Sequence, residues 1–376
     1  MFAAYAPHPL CAKKKISPLR KPPASKIPRR ALVKLHTATY AKLNDNRERC
    51  QVSDATTLEP GPTQTGHYTR PDVRGFLDFL NSVEGPQMHE MPLAEARAAY
   101  LAMIPIGELE PRKLAVIRDL TCPGPAGDIP LRFYDARETR EPGPAIMFYH
   151  GGGFTIGDLD THHALCSEIA AEMDMPVIAV HYRLAPEHRF PAAPDDCEAA
   201  TRWVAESPAA LGRGVTGLIP IGDSAGGNLT IVMTQALMDR PAAVPVVLQV
   251  PIYPLSDERP DHVSMQHFAE GHLLTRASMD WFGESYAAEA GNVRAYPIHG
   301  DHAKMPPTVL VTASLDPIRD SGRVYGAQLI LAGSDVVFIE MKGSIHGFTT
   351  LRKAIPSAQE DMQRIFAAMR LMLGSA

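Results

Sequence analysis

Long apolar runs and clustered cysteines are both missing from the 376-residue sequence. No uninterrupted apolar stretch approaches the roughly 18 to 20 residues that a bilayer-crossing helix needs, so the sequence predicts a soluble protein without a membrane span. The five cysteines form no C-x-x-C pair and no compact cluster with histidine, which argues against a zinc site and a disulfide framework. We therefore expect free thiols, no metal and a cytoplasmic location.

Acidic residues are absent from the beginning of the chain. Residues 1–43 carry ten Lys or Arg and no Asp or Glu, and this stretch is rich in proline and lacks helical periodicity. It also lacks the apolar core of a secretory signal, whereas transit peptides share its basic character. We expect residues 1–55 to be a basic disordered tail or a leader, with targeting left open. The net charge of −5 gives no reason to expect nucleic acid as a partner.

The remaining sequence alternates short apolar strands with segments of helical length. Residues 56–110 precede any convincing strand and show helical spacing, as at Val73, Phe76, Leu77 and Leu80. Strands and helices then alternate, which predicts an α/β fold with a mostly parallel central sheet flanked by helices. Residues 256–292 have helical character and interrupt this alternation. The sequence thus predicts a catalytic domain of residues 111–255 and 293–376 with an insertion between them.

A glycine-rich corner between a predicted strand and a predicted helix carries one serine. The residues Gly222, Asp223, Ser224, Ala225 and Gly226 match G-x-S-x-G, in which a tight turn presents a nucleophilic serine. The alternative is a βα turn that needs small residues only for packing. A serine nucleophile requires a base within hydrogen-bond reach and an acid to orient that base.

Two later strands end in an acid and then a histidine. Asp316 follows the strand in "PPTVLVTASLDPIRD", and His346 follows the strand in "VVFIEMKGSIHGF". Asp316 before Pro317 could instead cap a helix, and His346 could be a surface loop residue. The order Ser224, Asp316, His346 at the ends of successive strands is the order expected of an α/β-hydrolase and favours a catalytic triad.

A third motif, "HGGGF", follows the strand before the serine corner. Its glycine amides could approach a substrate oxygen closely and stabilise the oxyanion of acyl transfer. The competing interpretation is dinucleotide binding, but Gly151, Gly153 and Gly157 are spaced one residue wider than the G-x-G-x-x-G fingerprint. The sequence therefore predicts no cofactor.

The motifs "HGGGF", "YRLAPEHRFPAAPDD", "GDSAGGN", "DPIRD" and "HGF" occur in the order found in the hormone-sensitive-lipase-like esterases, bacterial lipolytic family IV. The sequence resembles this family from about Arg70 to its C-terminus. The resemblance implies a capped α/β-hydrolase fold and ester hydrolysis without a cofactor, with residues 56–110 and 256–292 forming the cap. It further implies specific roles: nucleophile Ser224, base His346, orienting acid Asp316, oxyanion-hole amides of Gly151, Gly152 and Ala225, and motif support from His150, Gly153, Gly222, Asp223 and Gly226.

The sequence thus predicts a serine carboxylesterase acting on small-molecule esters with short- to medium-chain acyl groups. An amidase or deacetylase would use the same residues and stays open. A non-catalytic ligand-binding member of the fold would usually show a broken triad, and all three positions are intact here. A homodimer is the default expectation for the oligomeric state.

Overall fold

A computed structural model describes residues 66–374 of the chain. Eight strands in this part form one sheet: β1 (Val116–Gly124), β2 (Gly127–Asp135), β3 (Gly143–Tyr149), β4 (Val177–Val180), β5 (Val215–Asp223), β6 (Val250–Ile252), β7 (Thr308–Leu315) and β8 (Val336–Ile345). Their spatial order is β1-β2-β4-β3-β5-β6-β7-β8. The predicted tail of residues 1–55, and the start of the predicted 56–110 segment, lie outside the described residues.

The sheet is mostly parallel, as the alternation of strands and helices predicted. Strands β1 and β2 form an antiparallel hairpin, and β2 also runs antiparallel to β4. All other neighbouring pairs, from β4–β3 through β7–β8, are parallel. The central strands are buried on both faces, which explains why their sequences are continuous apolar runs rather than alternating ones.

Helices cover both faces of this sheet. The described helices are α1 (Pro71–Ser82), α2 (Leu93–Gly107), α3 (His163–Met173), α4 (Ala192–Ala205), α5 (Ala225–Asp239), α6 (Val263–His267), α7 (Arg276–Tyr286), α8 (Arg319–Leu331) and α9 (Ser357–Met372). One buried apolar cluster joins α1, α3 and α9 to the sheet, and a second joins α4 and α5 to it. None of the helices within residues 66–374 is long and apolar enough to cross a membrane.

Two predicted elements differ from the observed ones in their bounds. The sequence pattern predicts a helix over Thr161–Met173, but the helix begins at His163, because Asp158 and Thr161 hydrogen-bond each other's backbone and close a turn first. The apolar run Val246–Ile252 predicts one strand, but the strand is regular only over Val250–Ile252, since Val246 forms just an isolated bridge with Leu218. The predicted insertion contains α6 and α7, which lie between β6 and β7.

Candidate active site

Ser224 occupies the sharp corner between β5 and α5. Its backbone has φ +57° and ψ −116°, a conformation that costs a non-glycine residue on the order of 1–3 kcal/mol. The Ser224 amide donates a hydrogen bond to the Ile252 carbonyl oxygen on β6, at 2.9 Å, which helps to hold the corner. The side chain therefore projects at the carboxyl end of the parallel strands, where ligand sites of such sheets lie.

The glycines around Ser224 are required by close packing. A Cβ atom on Gly226 would collide with the carbonyl group of Tyr149 at the end of β3, and one on Gly222 would collide with carbonyl oxygens of Tyr149 and Gly226. Glycine at these two positions lets α5 begin directly against β3. The G-x-S-x-G pattern thus has a packing reason as well as a chemical one.

Ser224, His346 and Asp316 form a continuous hydrogen-bonded chain. The Ser224 Oγ atom lies 2.8 Å from His346 Nε2, and His346 Nδ1 lies 2.7 Å from Asp316 Oδ2. Asp316 directly follows β7 and His346 directly follows β8, so the parallel strands deliver both side chains to the same edge as Ser224. The structure brings the three predicted residues together.

Asp316 fixes the orientation of the histidine ring. Its carboxylate is fully buried, and its second oxygen, Oδ1, accepts a hydrogen bond from the Ile318 amide at 2.9 Å. With Oδ2 accepting the Nδ1 proton of His346, the lone pair of Nε2 faces the Ser224 hydroxyl. This is the tautomer that a general base needs in order to take the serine proton.

The glycine loop after β3 gives its amides different partners. The Gly151 amide donates to Asp223 Oδ1 at 2.9 Å, and Gly151 is buried away from the cavity. Within residues 66–374, no carbonyl or side chain accepts a hydrogen bond from the Gly152 or Gly153 amide, and both residues line the cavity beside Ser224. The sequence-based assignment of Gly151 to the oxyanion hole is therefore wrong, because Asp223 already occupies its amide.

Gly153 is the residue that the sequence interpretation missed as an amide donor. Ala225, the first residue of α5, also lines the cavity, and its amide belongs to the unpaired N–H groups at the helix N-terminus. The amides of Gly152, Gly153 and Ala225 are thus the set available to an oxyanion. The run of three glycines was the sequence signal, but it could not tell which two amides remain free.

Buried histidines surround Asp223 behind the glycine loop. His162 Nε2 lies 3.3 Å from Asp223 Oδ1. Burial alone would raise the pKa of the Asp223 carboxyl, but the imidazoles of His162, His150 and His346 outweigh this effect and lower that pKa. Asp223 thus stays ionised and can hold the Gly151 amide by a charge-assisted hydrogen bond.

His150, the first residue of the HGGG motif, supports the glycine loop. Burial, followed by the proximity of His162, lowers the pKa of His150 to about 3, so the ring is neutral at physiological pH. Its Nδ1 atom lies 2.8 Å from the Gly151 carbonyl oxygen, and its ring stacks on that of Tyr182 with centroids 4.2 Å apart. The Tyr182 hydroxyl donates to the His150 carbonyl at 2.7 Å. These contacts stabilise the loop from behind.

A cavity of about 950 Å³ opens above Ser224 and His346. The strand ends and the glycine loop form its floor, and its walls come from residues 80–104 and 255–296. Apolar side chains dominate these walls, among them Leu80, Tyr100, Ile104, Leu273 and Phe282. The Phe282 ring of α7 packs directly over Gly153, where a Cβ would collide with it. Such a cavity suits a small, mainly apolar ligand.

Two further features of the described residues concern possible metal ligands and the glycine spacing of the loop after β3. Residues 66–374 contain no group of three or more His, Cys, Asp or Glu side chains arranged to hold a metal ion. Gly157, part of the glycine spacing considered for a dinucleotide, instead allows the loop to fold back against Gly151 and His150. Gly157 thus has a packing role in the glycine loop.

Comparisons with known proteins agree with this geometry. A family model for the α/β-hydrolase fold matches residues 146–350. The chain is 33% identical over 314 residues to an ethyl acetate hydrolase of Pseudomonas putida, covering 80% of this chain and 98% of that protein. It is 36% identical over 270 residues to the carboxylic ester hydrolase LipN of Mycobacterium tuberculosis, covering 68% of this chain and 70% of that protein.

Solved structures show the same similarity. An α/β-hydrolase enzyme from the metagenome of Lake Arreo superposes with a TM-score of 0.76 at 34% identity, covering 82% of this chain and 99% of that one. A hyperthermophilic esterase from the archaeon Pyrobaculum calidifontis gives a TM-score of 0.74 at 32% identity, covering 81% and 99%. The chain therefore belongs to the hormone-sensitive-lipase-like esterases of the α/β-hydrolase superfamily.

Proposed function

We propose that this protein hydrolyses small carboxylic esters with short- to medium-chain acyl groups through an acyl-enzyme on Ser224. The observation that carries the proposal is the chain from Asp316 through His346 to Ser224, with contacts of 2.7 and 2.8 Å, at the floor of an apolar cavity. Its relatives include proteins named as an ethyl acetate hydrolase and carboxylesterases.

In the first half of the reaction, the Ser224 Oγ attacks the ester carbonyl carbon while His346 Nε2 takes the hydroxyl proton. The tetrahedral intermediate then collapses, its C–O bond to the alcohol breaks, and His346 gives the proton to the departing alcohol. In the second half, water attacks the acyl group with His346 again as base, which releases the carboxylic acid and restores Ser224. No cofactor takes part in this scheme.

The amides of Gly152, Gly153 and Ala225 stabilise the negative oxygen of the intermediate in this proposal. All three line the cavity, and the positive end of the α5 dipole adds to the same field. Gly151 and Asp223 act indirectly, since their 2.9 Å hydrogen bond fixes the backbone that leads into the two free amides. His150, Gly222 and Gly226 support the same corner through packing.

We also propose that residues 66–110 and 256–292 act as a cap that encloses the ester. Several polar contacts tie the N-terminal part to the sheet domain. Arg97 of α2 donates to the Thr155 carbonyl at 2.9 Å and forms a bidentate ion pair with Glu187. Glu108, after α2, pairs with the buried Arg352 at 2.8 Å. A cap held in this way limits the cavity and favours acyl chains that fit within it.

The experiment is hydrolysis of 4-nitrophenyl esters from acetate to palmitate by the wild type and by Ser224→Ala. We expect robust wild-type turnover that peaks at short to medium chains and that the substitution abolishes. Thermal unfolding of both proteins should show that Ser224→Ala remains folded. Hydrolysis of 4-nitroacetanilide with no ester hydrolysis would favour the amidase alternative. Retained ester turnover in Ser224→Ala would refute Ser224 as nucleophile.

A homodimer and a cytoplasmic location complete the proposal. Strand β8 is the last strand of the sheet, and Ile330, Leu331 and Phe338 expose apolar surface around it. Exposed strand edges of this kind favour pairing with another chain. Light scattering of the purified protein tests the dimer. The free, buried thiols of Cys122, Cys166 and Cys197 suit a reducing compartment.

A further inference from the structure

A second histidine–carboxylate pair lies in the wall of the same cavity. His262 Nε2 is 2.9 Å from both carboxylate oxygens of Asp257. The two side chains are almost completely buried, with 6% and 2% of their surface exposed. The cavity lining includes both residues, on the loop that leads from β6 into α6. The proposed ester hydrolysis makes no use of this pair.

The other ring nitrogen of His262 is free. Within residues 66–374, Nδ1 has no hydrogen-bond partner, and it is not sealed off in the way that His150 Nε2 and His181 Nδ1 are. His262 is almost fully buried and lines the cavity, and from this we infer that its accessible Nδ1 faces the space that holds the ligand. When Asp257 accepts the Nε2 proton, Nδ1 presents a lone pair to that space.

The pair is fixed relative to the predicted catalytic acid. The Asp257 amide donates to Ser321 Oγ at 3.2 Å, and the Ser256 amide donates to the same atom at 2.8 Å. Beyond His262, Ser264 Oγ donates to the Pro317 carbonyl at 2.8 Å. The loop carrying His262 is therefore anchored on both sides to the segment that directly follows Asp316, and its position does not depend on a flexible surface loop.

An acceptor on an apolar wall selects for a substrate group that can donate a hydrogen bond. Met265, Leu273 and Ile318 line the same cavity and cannot form such bonds. The carboxylate of Asp257 behind the ring strengthens Nδ1 as an acceptor. It also makes this part of the wall unfavourable for an anionic substituent, and Glu258 beside it adds to that effect.

We propose that His262 is a substrate-recognition residue that accepts a hydrogen bond from a hydroxyl group on the ester, so that the enzyme favours hydroxylated esters over equally large plain ones. The inference rests on the proposed function, because the hydroxyl belongs to an ester bound at Ser224. The contact involves binding alone and no covalent step.

The test compares pairs of esters in which one member carries a hydroxyl group where the other carries CH₃ or H. Propyl and 2-hydroxyethyl acetate, and pentyl and 4-hydroxybutyl acetate, probe the alcohol side. The 4-nitrophenyl esters of butanoic and 3-hydroxybutanoic acid, where H is replaced by OH, probe the acyl side. The measured quantity is the ratio of kcat/KM for the hydroxylated ester to kcat/KM for its plain partner. In the wild type we expect this ratio to be near or above 1 in at least one pair, whereas an apolar pocket without an acceptor would lower it in all three.

Two substitutions test the roles of the two ring nitrogens of His262 separately. The amide nitrogen of glutamine in His262→Gln can replace Nε2 and keep the contact with Asp257, but it leaves no acceptor at the position of Nδ1. The side-chain oxygen in His262→Asn can replace Nδ1 but loses the contact with Asp257. We expect His262→Gln to lower the ratio by about 3- to 10-fold, because one hydrogen bond to the substrate is lost. His262→Asn should lower the ratio less.

His299→Gln is the matched control. His299 also pairs with a carboxylate, that of Glu258 at 3.0 Å, but it is exposed and does not line the cavity. For His299→Gln, the ratio of kcat/KM for hydroxylated and plain esters should equal that of the wild type. An unchanged ratio in His262→Gln, an equal loss in His299→Gln, or a wild type that disfavours every hydroxylated ester would overturn the inference. A wild type that hydrolyses none of the esters would instead refute the proposed function itself.

Discussion

Ser224 combines an unfavourable backbone conformation with a fully formed hydrogen-bond environment. Its positive φ is tolerated because the Ile252 carbonyl accepts its amide and because α5 packs tightly behind it. His346 and Asp316 then complete a chain of contacts in which each side chain has one defined role. The strain lies at the residue that is predicted to act as nucleophile, which is where stored strain is commonly found.

After Ser224, we expect activity to depend most on Asp316, whose buried carboxylate orients His346. In Asp316→Asn, the amide group can present an N–H to His346 Nδ1 and favour the tautomer whose Nε2 carries the proton. We expect kcat to fall by about 10³- to 10⁴-fold. Steady-state kinetics on 4-nitrophenyl butanoate measure the loss, and circular dichroism checks the fold. A variant that keeps more than a tenth of the wild-type kcat would remove Asp316 from the triad.

At the scale of elements, the unit formed by β3, β5 and α5 depends on close backbone approach at Gly226. In Gly226→Ala, the new Cβ would collide with the Tyr149 carbonyl, which is backbone and cannot move aside cheaply. We expect a loss of about 1–3 kcal/mol in the free energy of unfolding, measured by urea denaturation.

Gly283→Ala is the control for this prediction. Gly283 lies inside α7, and no atom within 4 Å would meet an added Cβ. Alanine favours a helix interior over glycine, so this variant should gain about 0.5–1 kcal/mol. Equal effects of the two substitutions would show that packing at Gly226 does not limit stability.

The methionines that line the cavity all lie in the two proposed cap segments. Five half-buried methionines line it, and none of them comes from a strand of the sheet: Met88, Met91, Met103, Met265 and Met279. Methionine is flexible, and its sulfur makes favourable contacts with aromatic rings. The proposed cap should therefore accommodate ring-bearing groups of varied shape.

The double variant Met265→Leu/Met279→Leu keeps the side-chain volume nearly unchanged but removes both sulfur atoms. We expect the preference for 4-nitrophenyl 3-phenylpropanoate over 3-cyclohexylpropanoate, as a ratio of kcat/KM, to fall by about 2- to 10-fold. Met238→Leu serves as the control, because Met238 is half-buried on α5 outside the cavity lining. If the variant with leucine at positions 265 and 279 also keeps the wild-type ratio, the sulfur atoms do not contribute to selectivity.

At the scale of the whole molecule, buried neutral histidines make the fold sensitive to acid. Burial is the largest cause of a lowered pKa at His150, His163, His181 and His302. As the pH falls below 6.5, the unfolded chain binds protons at these residues before the folded protein does. The free energy of unfolding therefore decreases, by at most about 1.4 kcal/mol per pH unit for the fully buried His150 and by less for the histidines that are partly exposed.

For His150 the window of this loss extends from 6.5 down to about pH 3. The carboxyl groups of Glu108 and Asp361 act in the opposite sense, because burial raises their pKa values, but they are fewer. Urea denaturation at pH 7.5, 6.5, 5.5 and 4.5 measures the slope. A free energy of unfolding that stays constant or rises over this range would contradict the prediction.

The α/β class, the approximate strands and the order of the reactive residues could all be predicted from the sequence. These follow from local signals: apolar runs of strand length, glycines at a corner, and an acid and a histidine placed directly after strands. Such signals identify an element and the residue at its end. The family membership that the comparisons established rests on the same motifs. The catalytic roles of Ser224, Asp316 and His346 stay predictions until they are measured.

Which polar groups are free to bind a ligand depends on the folded arrangement and could not be predicted from the sequence. The parallel register pairs Tyr149 with Gly222. Gly151, two residues beyond Tyr149, therefore comes into hydrogen-bond contact with Asp223, one residue beyond Gly222. That contact occupies the Gly151 amide, whereas the amides of Gly152 and Gly153 stay free for the proposed oxyanion hole. Likewise, the free nitrogen of His262 becomes visible only when Asp257 and the cavity are in place. Whether a polar atom is available depends on partners that lie far away in the chain, and no local pattern records them.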